Sequence, residues 1–114
     1  MFGLNESLNY YLYPGYITMN KGIEMLYQLV SADNLDVLSG DVYLFISKRR
    51  DTIKILRWEK DGFMLYQKRL EKGTFEIPRF KPREGWLELD WKLFILIMAG
   101  VSIRSVKFNR RLCI

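Results

Sequence analysis

Apolar and polar positions alternate with a period of two through the middle of the chain and with helical spacing nearer each end. Residues 10–13 form a short strand pattern that Pro14-Gly15 stops, because proline fixes φ and glycine tolerates a turn. Met19, Ile23, Leu26, Tyr27 and Val30 then fall on one helical stripe, which predicts a helix starting after Thr18, whose hydroxyl suits an N-cap. Gly22 lies in the first turns of that stripe. A glycine inside a helix costs about 1 kcal/mol relative to alanine, so crowding by another backbone or side chain is expected there.

Residues 34–40 form a polar loop anchored by Leu35, Val37 and Leu38, and residues 42–47 read as a strand buried on both faces. A charged turn at 48–51 leads into a second strand at 52–58. The Asp61-Gly62 signal places a turn at 59–62, and a third strand follows at 63–70. Glu71-Lys72-Gly73 makes a further turn, and residues 74–77 add a short fourth strand that Pro78 halts. Pro82 and Gly85 mark an irregular connection. Asp90 then caps a final helix with an apolar stripe of Leu93, Phe94, Ile97 and Met98, closed by Gly100. The expected fold class is α+β: a small antiparallel β-meander sheet of about four to five strands packed with an N-terminal-half helix and a C-terminal helix. With no repeat or Pro/Gly/Ser linker, residues 1–114 are expected to be a single domain whose basic tail covers residues 102–114.

Charge changes this picture from a fold to a binding protein. Residues 1–47 hold one base against five acids, whereas residues 48–83 hold twelve bases against five acids, so the strand-rich middle carries +7. A segregated positive stripe concentrates polyanions and speeds their encounter, and nucleic acid is the commonest such partner inside cells. The competing reading is a solvated basic face that only maintains solubility.

Catalytic chemistry finds little support. The chain has no histidine and one cysteine, Cys113, so the usual zinc ligands and an activated thiolate are both missing. The acids sit mostly in turns spread over opposite strand ends, so the sequence gives no support for the convergence that two-metal phosphoryl chemistry needs, and a nuclease stays only as a third option. No Gly-rich phosphate loop occurs, and the longest apolar run, residues 93–99, falls short of the ~20 residues a membrane helix needs. A non-enzymatic protein without cofactors, without a membrane span and in the cytoplasm is therefore expected.

The candidate binding residues are Lys48, Arg49, Arg50, Lys54, Arg57, Lys68, Arg69 and Lys72. Cationic side chains pair with phosphates and release condensed counterions, and aromatic neighbours can stack on bases. Trp58, Phe63 and Tyr66 are weighed instead as core, because large aromatics dominate buried area in small domains. Lys48, Arg49 and Arg50 sit on a predicted hairpin tip, from which they reach outward without disturbing the sheet.

The chain resembles the TnpB, or second-open-reading-frame, accessory proteins of IS66-type bacterial insertion sequences. The resemblance rests on Tyr11-Leu-Tyr with Gly15 and Met19-Asn-Lys-Gly22, on Ser39-Gly40 and on residues 45–50. It continues through Ile53-Lys-Ile-Leu-Arg-Trp58, Asp61-Gly-Phe63 and Lys68-Arg-Leu-Glu-Lys-Gly73 with Phe75 and Pro78, covering about residues 8–101. Thr18 and Asn20 depart from the aspartate and arginine usual in that pattern. The resemblance implies an accessory factor for transposition that acts beside a separate transposase. The expected partners are DNA at the element ends, the transposase of the same element and a second copy of the chain. A protein–protein adaptor that binds the transposase without touching DNA is the alternative.

Overall fold

In a computed structural model that describes residues 3–18, 20–78 and 85–100, five strands form one sheet in the order β4-β3-β2-β1-β5. The elements run β1 (Tyr10–Ile17), α1 (Ile23–Ala32), β2 (Val42–Ser47), β3 (Thr52–Glu59), β4 (Gly62–Arg69), β5 (Leu87–Leu89) and α2 (Trp91–Met98). The α+β class holds, and β2, β3 and β4 form the expected antiparallel meander. The sheet as a whole is mixed rather than antiparallel, because α1 is a crossover that returns β2 parallel to β1.

β2 is buried at every position, as expected for a strand covered on both faces, with Ser47 its one polar residue. Its alternate residues feed two cores. Val42, Leu44 and Ile46 share one face with Tyr10, Leu12, Ile53 and Ile55, and that face is covered by Leu93, Phe94, Ile97 and Met98 of α2. Tyr43 and Phe45 share the other with Ile17 and Leu56, covered by Leu26 and Val30 of α1. The sheet therefore lies between the two helices. Asp90 starts α2 as expected, its Oδ1 accepting from the Leu93 amide at 2.8 Å.

Several local expectations change. β1 does not stop at Pro14-Gly15. Its register to β2 jumps between Leu12↔Leu44 and Tyr16↔Ile46, so the Pro-Gly pair is absorbed in a bulge. β5 pairs only with Tyr10, Tyr11 and Leu12, and Pro14 thus lies past the end of that ladder, where its missing N–H breaks no bond. The helix begins at Ile23, and Gly22 is its N-cap in open space rather than a crowded interior position. Thr18 does not cap it, since its hydroxyl donates to Asn20 Oδ1 at 2.7 Å. Met19, the first residue of the expected stripe, lies outside the described residues, as do Pro82 and the basic tail.

Residues 74–77 form no strand; Phe75 is instead buried, and its amide donates to the Arg50 carbonyl at 2.7 Å. The β3–β4 connection is Lys60-Asp61, with Lys60 rather than a glycine in the left-handed region at φ 52°. Two features went unread in the sequence. β5 is three residues long, too short to show alternation. Trp86 lies edge-on to Tyr13, Tyr43 and Phe45 and donates from Nε1 to Asp33 Oδ2 at 2.7 Å, clamping the β1–β2 aromatic cluster to the end of α1.

Candidate functional site

The eight candidate cations separate into two groups by what their charged ends touch. Lys54 points to the α1 face of the sheet and is only 6% exposed. Its Nζ donates to the Lys21 carbonyl at 2.5 Å, just before α1, and burial lowers its pKa. Arg57 lies on the opposite face, half-buried. Its Nε donates to the Gly40 carbonyl at 3.1 Å and its guanidinium reaches the Gly3 carbonyl at 3.3 Å and Glu59 at 4.0 Å. Lys68 donates from Nζ to the Met98 carbonyl at 2.6 Å, placing a cation at the C-terminal end of α2, where the helix dipole is negative. These three hold backbone carbonyls of distant segments, Lys54 and Arg57 from covered or half-covered positions and Lys68 from an exposed one, whereas the remaining candidates have no such tie among the described residues.

The other five share one end of the sheet. Lys48, Arg49 and Arg50 are exposed on the turn between β2 and β3, which is closed by the Arg50 amide donating to the Ser47 carbonyl at 2.8 Å. Arg50 itself adopts φ 60°. Arg69 ends β4 opposite Thr52, and Lys72 follows in the loop that runs back beside the turn. Two backbone bonds join loop and turn: Leu70 N–H to Asp51 O at 2.8 Å and Phe75 N–H to Arg50 O at 2.7 Å. Burial of Phe75 at 1% exposure anchors that loop, so the second cationic segment is held against the first.

Asp51 sits between the two segments. Partial desolvation pushes its carboxyl upward, but hydrogen bonds from the Thr52 and Ser47 hydroxyls, with Arg69 and Arg49 nearby, outweigh it and hold the pKa below the usual aspartate value. It stays ionised and sets the turn. Arg69 Nε is 4.0 Å from its Oδ2, a long contact for a side chain that is 64% exposed, so the guanidinium remains available to solvent.

The expected core aromatics are intermediate. Ile53 and Ile55 are fully buried, whereas Trp58, Phe63 and Tyr66 are half-buried, with Trp58 and Phe63 packed edge to face at 5.0 Å. Among the described residues, no group of three or more acidic or cysteine side chains converges as a metal site would require. Among the same residues, no helix is long and apolar enough to cross a membrane.

The family pattern of the IS66 Orf2 like protein matches residues 8–108. The chain belongs to that family. An uncharacterized protein of Sinorhizobium fredii, y4jC, is 31% identical over 108 residues, covering 94% of this chain and 91% of its own. No solved structure matches. Within this IS66 Orf2-like chain, the segments that carried the resemblance are physically tied together. Lys54 joins Ile53–Trp58 to the Lys21-Gly22 turn and Arg57 joins the same strand to Gly40, which adopts φ +89° as only glycine readily does.

Proposed function

We propose that this IS66 Orf2-like protein is a non-catalytic accessory factor of insertion-sequence transposition that contacts the DNA backbone through Lys48, Arg49, Arg50, Arg69 and Lys72. The observation that carries the reading is their arrangement: five solvent-facing cations on two segments bonded to one another at one end of a rigid sheet, with only Asp51 and Glu71 in the same segments to oppose them. Phosphate contacts of this kind supply affinity without reading sequence, so recognition of the element ends falls to the transposase bound beside it. Half-buried Trp58 and Phe63 offer no open stacking platform, which favours duplex backbone over unstacked bases.

An electrophoretic shift with a duplex carrying an element end, at low salt, tests it. Binding that Lys48/Arg49/Arg50→Ala abolishes is the expected result. No binding at low salt, together with retention of the purified transposase on the immobilised protein, would replace DNA contact with the adaptor reading.

A further inference from the structure

β4 ends the sheet, and among the described residues no strand pairs with its outer side. All eight of its residues pair with β3 without a register shift, so the edge is long and regular. The Leu70 N–H to Asp51 O bond fixes the alternation of the ladder, which turns the N–H and C=O groups of Phe63, Leu65 and Gln67 outward. Natural edges are usually blunted by proline, a bulge or a protruding lysine. Residues 62–67 contain no proline, bulge or charge, and Lys68 is turned away to the α2 terminus. On the α1 side the edge is lined by Tyr27, which is exposed and edge-on to Phe63 at 5.6 Å, and by exposed Ile23 one turn before it.

We propose that β4 pairs antiparallel with β4 of a second copy, about a two-fold axis through Leu65, to give a continuous ten-stranded sheet across the dimer. Outward groups must pair with outward groups, which puts the axis on a residue rather than between two, and a ladder centred on the strand puts it at or beside Leu65. An axis at Met64 sets Asp61, the turn residue next to β4, beside neutral Gln67, and an axis at Tyr66 sets it beside Glu71. An axis at Leu65 sets Asp61 opposite Arg69 at both ends of the ladder. It also sets Leu65 against Leu65 on the α1 face and Met64 against Tyr66 on the α2 face, so opposite charges and apolar side chains coincide in one register. The acids beside the β3–β4 turn agree, because Glu59 and Asp61, with Lys60 between them, lie at the end of the sheet opposite Arg69 and Lys72, and an antiparallel neighbour brings the two ends together.

Sedimentation velocity on the full chain tests this independently of DNA binding. The wild type is expected to sediment as a dimer. Gln67→Pro removes an outward N–H while leaving the β3 ladder intact and should weaken association by about tenfold or more, with the circular dichroism spectrum unchanged. Arg69→Asp should weaken it comparably, and adding Asp61→Arg should restore it, a rescue that no loss of folding can imitate. A chain that is monomeric at about 100 μM leaves the edge to another occupant, such as a strand of a different protein, and overturns the proposal. So does a dimer that neither Gln67→Pro nor the charge exchange alters.

Discussion

Replacing Lys48, Arg49 and Arg50 together by alanine should remove most of the salt dependence of DNA binding while leaving the fold in place. Five phosphate contacts, one for each of the five proposed cations, correspond to a fall of log K against log salt with a slope of about −4.5. Raising salt from 50 to 200 mM then weakens binding about 500-fold. With Lys72 and Arg69 alone the slope becomes about −1.8, and the same change in salt weakens binding only about twelvefold. Among the described residues, none of the three side chains donates to a carbonyl of a distant segment as Lys54, Arg57 and Lys68 do, and exposed substitutions of this kind usually change stability by no more than about 0.5 kcal/mol. Fluorescence anisotropy of a labelled duplex across a salt series gives the slopes, and thermal unfolding gives the stability. A slope that stays near −4.5 in the triple variant would refute the assignment of the contacts. A fall in stability of several kcal/mol would refute the claim that these residues are presented rather than structural.

The opposite profile is expected for Arg57→Met, which strips hydrogen bonds from the Gly40 and Gly3 carbonyls: a loss of about 1–3 kcal/mol in a urea melt with the salt slope unchanged. Phe94→Ala, at a fully buried position whose ring lies 4.3 Å from that of Tyr10, should cost about 3–5 kcal/mol in the same melt. Lys60→Gly relieves a left-handed backbone at the β3–β4 turn and should raise stability by about 0.5 kcal/mol, read as a higher unfolding midpoint. The folded pKa of Asp51 is depressed, so its contribution is present above the unfolded aspartate value near 3.8 and is lost as pH falls through the lower folded value. Asp51→Asn should therefore flatten the acid limb of the stability–pH curve below about pH 4, followed by circular dichroism.

Long periodic signals were legible and local exceptions were not. The α2 stripe and its aspartate cap were readable because four apolar residues at helical spacing and a capping side chain agree. The meander was readable because alternation in β3 and β4 is bounded by turn residues. The parallel β1–β2 pairing was hidden, since strand direction depends on a crossover that single-strand patterns do not record. Pro14-Gly15 read as a stop because proline usually ends pairing, and only β5's short reach, itself invisible at three residues, explains why β1 continues past it. For the candidate site, sequence identified where the cations lie along the chain but not which way they face. Alternation gave Lys54 and Arg57 opposite faces, but not that the charged end of each donates to a backbone carbonyl of a distant segment.

Charge sorting along the strand axis links the two proposals. Among the described residues, the turn between β2 and β3 and the segment that ends β4 carry five exposed cations, while Asp41 before β2, Glu59 at the end of β3 and Asp61 in the next turn, with Lys60 between the last two, lie at the opposite end. Under the proposed function, those five cations would turn that end of the sheet toward a polyanion. Pairing through β4 would consume Arg69 against Asp61 of the second copy but would not reach the β2–β3 turn, which lies further into the sheet, strands being spaced about 4.8 Å apart. Lys48, Arg49, Arg50 and Lys72 then remain free in each copy. The two-fold axis points the two clusters in opposite directions, separated by more than the eight residues of β4, which span about 27 Å. If both proposals hold, such a dimer would not grip one short stretch of duplex with both clusters; it would hold two separate segments, an arrangement suited to bringing two DNA ends into one complex.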